Sequence, residues 1–238
     1  MNILIYSKNT IREALRAKVV KKLYVSNKNR NDPLVKLATK ELGDIVFLKD
    51  EELTKLAKNS LHQGFVAEIN EFEVSTLEEI VANCKNKENP LILILDGIED
   101  PHNLGAILRS ADAFGVDGII LKNRGEVPLN STVARVSTGA VFHLNIAPVT
   151  NLNRSIDYLK KNGFWIVASD GEAKLNYDEI DYKGPIGIIV GSEGFGISKL
   201  LLSNSDFIVK IPMVGHVNSL NASVASAIML AMVSHLRK

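Results

Sequence analysis

Cysteine is almost absent from the chain: Cys84 is the only one in 238 residues. No intrachain disulfide can form, and a reducing, cytoplasmic compartment is the expectation. Long apolar runs are lacking as well. Residues 91–95 and 227–233 are far short of the roughly 20 residues that a membrane span needs. Residues 1–6 have neither the charged start nor the long apolar stretch of a secretory leader. The five histidines show no metal-ligand spacing and Cys84 has no partner thiol, so no metal is expected. Internal repeats and low-complexity segments are also missing. What remains is a chain that is 46% hydrophobic, enough to bury a sizeable core, with 23% charged residues.

The net charge of +1 conceals an uneven distribution. Residues 1–70 carry 13 Lys and Arg against 8 Asp and Glu, a net +5, whereas residues 71–238 carry 15 against 19, a net −4. Seven basic residues fall between Arg12 and Arg30, interrupted only by Glu13. A basic front end suits an anionic partner, although a solvated surface with a chance imbalance would look the same.

Periodicity predicts two α/β regions. In the first, residues 10–18 read as a helix, 22–26 as a strand, and 33–42 as a helix opened by Pro33 and ended by Gly43. A strand over 44–48, a helix over 51–57 and a strand over 64–69 complete a small α/β domain spanning residues 1–70. Residues 71–90 read as a linker with a short helix at 76–84. From residue 91 onward, strand, turn and helix repeat. The run 91–96 is almost wholly apolar and 186–190 is apolar throughout, as buried parallel strands are. Residues 103–114, 131–141 and 151–161 read as helices, with strands at 118–121, 143–149, 164–169 and 207–211. The final helix, 221–236, is apolar or small nearly all round, so it should be buried against the domain or a partner chain. The alternation predicts a parallel-sheet α/β domain over residues 91–238.

Three segments of this domain place small and polar residues just after strands, where open α/β sheets bind ligands. The first runs from Asp96-Gly97 through Asn103-Leu104-Gly105 to Arg109. The second is Gly191-Ser192-Glu193-Gly194-Phe195-Gly196, whose spacing is not the G-x-G-x-x-G of a dinucleotide fold. The third runs from Ile211-Pro212 to Ser219-Leu220-Asn221-Ala222-Ser223-Val224-Ala225. Singly, each has an ordinary structural reading. Asn103, Ser219 or Asn221 can cap a helix, Arg109 can be a solvated side chain, and the glycines can form a tight turn.

Taken together and in order, these motifs resemble those of the SpoU/TrmH family of RNA 2′-O-ribose methyltransferases, within the SPOUT class. Asn103, Gly105 and Arg109 match the family's first motif. Gly191, Glu193, Gly194 and Gly196 match the second, and Pro212, Ser219, Leu220, Asn221, Ser223 and Ala225 the third. The front end resembles the substrate-binding domain of one branch, through residues 9–15 (NTIREAL) and the closing His62-Gln63-Gly64-Phe65-Val66-Ala67; Ser7 stands where the family usually has glycine. The resemblance implies a SPOUT trefoil-knot catalytic domain behind a small RNA-binding domain, with S-adenosylmethionine as cofactor and RNA as partner. It further implies a homodimer through the knot region. It assigns catalysis to Asn103, Arg109, Glu193, Ser219 and Asn221. Thr138, Gly139, Gly191, Glu193, Gly194, Ile211, Ser219 and Leu220 would hold the cofactor, and Arg12, Arg16, Lys21 and Lys22 would meet RNA. The branch implied methylates a guanosine in the P-site loop of 23S ribosomal RNA; a tRNA-modifying enzyme and a non-catalytic ribosome-assembly factor are the alternatives.

Overall fold

The computed structural model describes residues 2–43, 45–216 and 219–237. The first half of the chain forms β1 (Ile3–Tyr6), α1 (Lys8–Arg16), β2 (Val20–Ser26), α2 (Pro33–Leu42), β3 (Val46–Leu48), α3 (Asp50–Ala57), β4 (Phe65–Ile69) and α4 (Leu77–Cys84). It continues with β5 (Leu91–Asp96), α5 (Pro101–Ala113), β6 (Gly118–Lys122) and α6 (Ser131–Val136). The second half forms β7 (Ile146–Val149), α7 (Leu152–Lys161), β8 (Trp165–Ser169), β9 (Leu175–Asn176), β10 (Ile186–Gly191), α8 (Lys199–Ser203), β11 (Phe207–Lys210) and α9 (Ala222–Leu236). Asp44, the first residue of the strand expected over 44–48, lies outside the described residues.

Packing divides the chain into two units, Met1–Glu73 with Leu129–His143, and Val74–Pro128 with Leu144–Lys238. The first is built on a four-stranded sheet of order β1-β4-β2-β3, in which β1 and β2 run antiparallel to β4 and β3 runs parallel to β2. Strand β1 has no counterpart in the periodicity reading. Its Ile5 and Tyr6 are buried, and Tyr6 packs with Leu53 and Val66. The motif His62-Gln63-Gly64 is a turn locked by its own histidine: His62 Nδ1 accepts from the Gly64 amide at 2.9 Å, and Nε2 lies 2.9 Å from the Thr54 hydroxyl. The acceptor role of Nδ1 places the ring proton on Nε2, so His62 donates to Thr54.

Residues Leu129–His143 fold with this unit rather than with their sequence neighbours. Helix α6 stops at Val136, where a continuous helix to residue 141 was expected. Thr138 and Gly139 then take positive φ (54° and 94°), and a 3-10 turn follows over Ala140–Phe142. Gly139 sits hard against α1: a Cβ there would lie 2.5 Å from Cβ of Glu13. Thr10 Oγ1 donates to the Ala134 carbonyl at 3.3 Å, and Phe72 stacks on Phe142 with centroids 5.8 Å apart.

The second unit is a seven-stranded, wholly parallel sheet of order β7-β6-β5-β10-β8-β11-β9. Strands β5 and β10 occupy its centre and are buried at every position, which explains their unbroken apolar sequences. Residues 71–90, expected to be a linker, contribute α4, whose Ile80, Val81 and Cys84 join the core. Thr76 caps that helix in a reciprocal box with Glu79. At the chain's end, the half-buried Arg237 donates to the carbonyls of Asn89, Tyr182 and Gly184 at 2.7–3.0 Å and ties α9 to the sheet's amino end.

Candidate active site

Chain order reverses between β5 and β10: from β5 the sheet grows outward through β6 and β7, and on the other side come β10, β8 and β11. Such a switch point leaves a crevice at the carboxyl ends of the two strands. Asp96 and Gly191, the last residues of β5 and β10, are paired in register. The loops carrying the first two sequence motifs therefore rise side by side.

The loop after β10 closes on itself. Ser192 and Gly196 exchange both backbone hydrogen bonds at 3.0–3.1 Å, and the Ser192 hydroxyl accepts from the Phe195 amide at 3.2 Å. This return brings the Gly196 backbone against Gly191, where a Cβ would lie 2.1 Å from the Gly196 carbonyl carbon. Glycine at 191 is thus a requirement of chain crossing.

Three motif residues from different elements meet. Helix α5 begins two residues earlier than expected and is capped by Asp100, which accepts from the His102 amide at 2.8 Å. Asn103 is thereby released from capping. Its Oδ1 accepts from Nδ2 of Asn221 at 3.0 Å, and its Nδ2 lies 3.5 Å from Oε2 of Glu193. Asn221 Nδ2 also reaches Glu193 Oε2 at 3.3 Å, while its Oδ1 caps α9 by accepting from the Ser223 amide at 2.9 Å. One asparagine thus starts the last helix and bridges the other two motifs.

Two adjoining cavities open here and share Ser192 and Ala222. The first, about 580 Å³ and open to solvent, is lined by small residues that include Gly191, Gly196, Ile211, Ser219, Leu220 and Ala225. It also holds Ser169, Asp170 and Gly171, which follow β8. Among the described residues, Asp170 is the only charged side chain in its lining, and neither Lys nor Arg contributes. The second cavity, about 540 Å³, includes the polar and acidic side chains of Asn103, Glu193, Glu99 and Asp100 beside Gly194 and Phe195. Val217 and Asn218, in the third motif, lie outside the described residues.

Beneath these loops is a charged cluster that the motifs do not contain. Asp96 is 4% exposed; its Oδ1 is 2.5 Å from Lys122 Nζ and its Oδ2 accepts from the Ser198 amide at 2.8 Å. Glu126 accepts from the Gly97 amide at 3.0 Å. Burial pushes its carboxyl up to about 7, against the pull of the Gly97 and Lys122 amides and the Lys122 charge, with Asp96 adding to the rise. The cluster ties the loop after β5 to the loop after β10.

The remaining site residues lie elsewhere. Arg109 is exposed two turns along α5; it lines neither cavity and is not bonded to Asn103, Glu193 or Asn221. Six residues of helix separate it from Asn103 by about 9 Å of rise and put it on another face. Thr138 and Gly139 line neither cavity and belong to the first unit, where Gly139 serves the close approach to α1. Glu193 and Gly194, expected at the cofactor, line the second cavity. In the first unit, Arg12 and Arg16 stand one turn apart on α1, and Arg16 pairs with Glu13 at 2.9 Å. An irregularity in the pairing of β2 between Val20 and Lys22 leaves Lys21 and Lys22 both exposed instead of alternating. Ser169-Asp170-Gly171 escaped the sequence reading although a D-G turn after a strand marks the same edge of the sheet.

Comparison with known proteins agrees with this geometry. The profile of the SpoU rRNA methylase family matches residues 90–231, and that of RNA 2′-O ribose methyltransferase substrate binding matches residues 4–75. A Staphylococcus saprophyticus protein assigned to the TrmH family of tRNA/rRNA methyltransferases is 42% identical over 233 residues, which is 96% of this chain and 93% of that one. Among solved structures, an RNA 2′-O ribose methyltransferase superposes with a TM-score of 0.80 at 29% identity, covering 99% of this chain and 89% of that one. An S-adenosylmethionine-bound rRNA methyltransferase from Sinorhizobium meliloti gives 0.83 at 25% identity, covering 98% and 87%.

Proposed function

The chain belongs to the SpoU family of RNA methyltransferases, and on that footing we propose that it transfers the methyl of S-adenosylmethionine to a guanosine 2′-OH in the P-site loop of 23S ribosomal RNA. The observation that carries this reading is the pair of adjoining cavities at the β5/β10 switch point, one lined mostly by small and apolar residues, the other holding Asn103 and Glu193, which Asn221 bridges.

The first cavity fits the cofactor by its chemistry. Gly191, Ile211 and Leu220 present backbone groups and small side chains to a flat adenine and its ribose, and Ser219 offers a hydroxyl. The lack of a basic side chain suits a ligand carrying a sulfonium charge, and Asp170 can accept from its hydroxyls or amine. Bound there, S-adenosylmethionine supplies an electrophilic methyl on sulfur. The second cavity takes the ribose. Two amides hold Glu193 Oε2, leaving Oε1 to accept from the 2′-OH and orient its oxygen. Arg109, on another face of α5, clamps an adjacent phosphate of the bound RNA from outside this cavity. An arginine, whose proton leaves only above about pH 12, is a poor base but a good anion clamp. The bond formed is from the 2′-oxygen to the methyl carbon, the bond broken is carbon to sulfur, and the hydroxyl proton leaves to solvent by way of Glu193.

The catalytic domain is a trefoil knot in this reading, one of the few exceptions to unthreaded chains. The protein is cytoplasmic and acts as a homodimer through the face of α9 on which Val224 is 46% exposed. The first unit binds RNA through Arg12, Arg16, Lys21 and Lys22, with affinity that falls as salt rises. A tRNA substrate is the second reading, favoured by the tRNA/rRNA description of the S. saprophyticus relative.

The test is methyl transfer from radiolabelled S-adenosylmethionine to unmodified 23S rRNA and tRNA transcripts, with the label mapped to a nucleoside. Label as 2′-O-methylguanosine in rRNA, lost in Arg109→Ala, supports the proposal. Label confined to tRNA overturns the target, and absence of cofactor binding overturns the reaction.

A further inference from the structure

We propose that Phe195 is a stacking platform for the nucleobase of the nucleotide being methylated. The ring sits at the tip of the loop after β10 and is 96% exposed. Its backbone is held by the paired hydrogen bonds of Ser192 and Gly196 and by the Ser192 hydroxyl, so the loop presents an anchored aromatic surface. Gly194 and Gly196, on either side, leave both faces of the ring open. Phe195 lines the same cavity as Asn103 and Glu193, the residues assigned to the ribose, so a base attached to that ribose lies within its reach. The chemistry of the rim selects the occupant. Glu99, Asp100 and Glu193 line this cavity and no basic side chain does, which repels a phosphate. A flat neutral ring with N–H donors at its edge satisfies both the aromatic face and the carboxylates.

The inference rests on the RNA methyltransferase reading and is tested together with it. Wild type, Phe195→Ala, Phe195→Leu and Phe195→Tyr are compared for methyl transfer to a transcript of the P-site-loop region, for S-adenosylmethionine affinity by calorimetry, and for mass in solution by light scattering. Loss of one base–aromatic stack predicts a fall of about 5- to 150-fold in kcat/KM for RNA in both Ala and Leu variants. Cofactor affinity and mass should be unchanged, and Phe195→Tyr should restore the rate lost in Phe195→Leu. A Leu variant as active as wild type overturns the stack, because apolar bulk alone then suffices. An Ala variant whose activity falls only with its mass also overturns it, by assigning the ring to a second copy of the chain. Unchanged Ala activity beside an active wild type refutes the stack alone. A wild type that methylates no RNA refutes the functional reading, and the stack falls with it.

Discussion

Glu126 offers a perturbation whose sign and size follow from its surroundings. Its carboxyl is pushed up to about 7 by burial, from an ordinary value of 4.5. Between those two values the folded state keeps a proton that the unfolded chain has lost, so the protein is stabilised at acidic pH and loses that stability as pH rises through 7. At about 1.4 kcal/mol for each pH unit of separation, the full effect is about 3 kcal/mol. Glu126→Gln removes the titration, while its amide oxygen can still accept from the Gly97 amide, now 3.0 Å from the carboxylate. The variant should therefore resemble wild type at pH 5 and exceed it by about 3 kcal/mol at pH 8. At 2–4 °C per kcal/mol for a chain of this size, the melting temperatures should differ by roughly 6–12 °C at the higher pH. Urea denaturation at pH 5, 6, 7 and 8 measures this directly. Parallel stability profiles for the two proteins would refute the reasoning, since they would mean that the Lys122 charge and the two amides already keep Glu126 ionised in the fold.

Asn221→Asp separates capping from chemistry. A carboxylate still caps α9 through the Ser223 amide, so stability should change by less than about 1 kcal/mol, but it loses the donor that bridges Asn103 and Glu193 and places like charge against Glu193. Turnover should fall about 10- to 100-fold, as single active-site polar contacts cost, in a methyl-transfer assay at fixed RNA. Ser7 adopts φ 86° as the residue before α1, in a region that favours glycine. Ser7→Gly should therefore be more stable than Ser7→Ala by about 1–2 kcal/mol in urea, the reverse of the usual order. Arg237→Ala removes three charge-assisted bonds to part-buried carbonyls and should cost about 2–4 kcal/mol, with Arg237→Lys recovering only part of it because an ammonium lacks the planar fork.

What was legible in the sequence is what depends on neighbours along the chain. Strands β5 and β10 announce themselves because both faces are buried, so no polar residue stands in either before Asp96 at the end of β5. The three motifs that meet at the site each follow a strand, and the parallel sheet brings such segments to one edge whatever the intervening length. The helix boundaries erred where two caps competed. Asp100 and Asn103 are both good N-caps, and Pro101, which suits the first helical position, decides for Asp100. That shift of two residues is what frees Asn103 to meet Asn221 and Glu193.

What was illegible depends on pairings that the chain makes across long separations. Periodicity shows that α6 has an apolar side, but not that Thr10 lies 124 residues away beneath it. Nor does it distinguish a glycine that admits a ligand from Gly139, which admits a helix. The Asp96–Lys122 pair was hidden for the same reason, since β5 and β6 read as independent apolar strands and only their parallel pairing aligns their ends. Arg109 sharpens the point. Its motif places it in sequence with Asn103, yet six residues of helix turn it to another face, so within one chain it cannot share their cavity. If Arg109 acts in the reaction, the phosphate it holds must lie outside the cavity that holds the ribose, on the α5 surface. A kcat/KM that falls in Arg109→Ala with S-adenosylmethionine affinity intact, and with a salt slope shallower by about one phosphate contact, is the signature such a displaced clamp would leave.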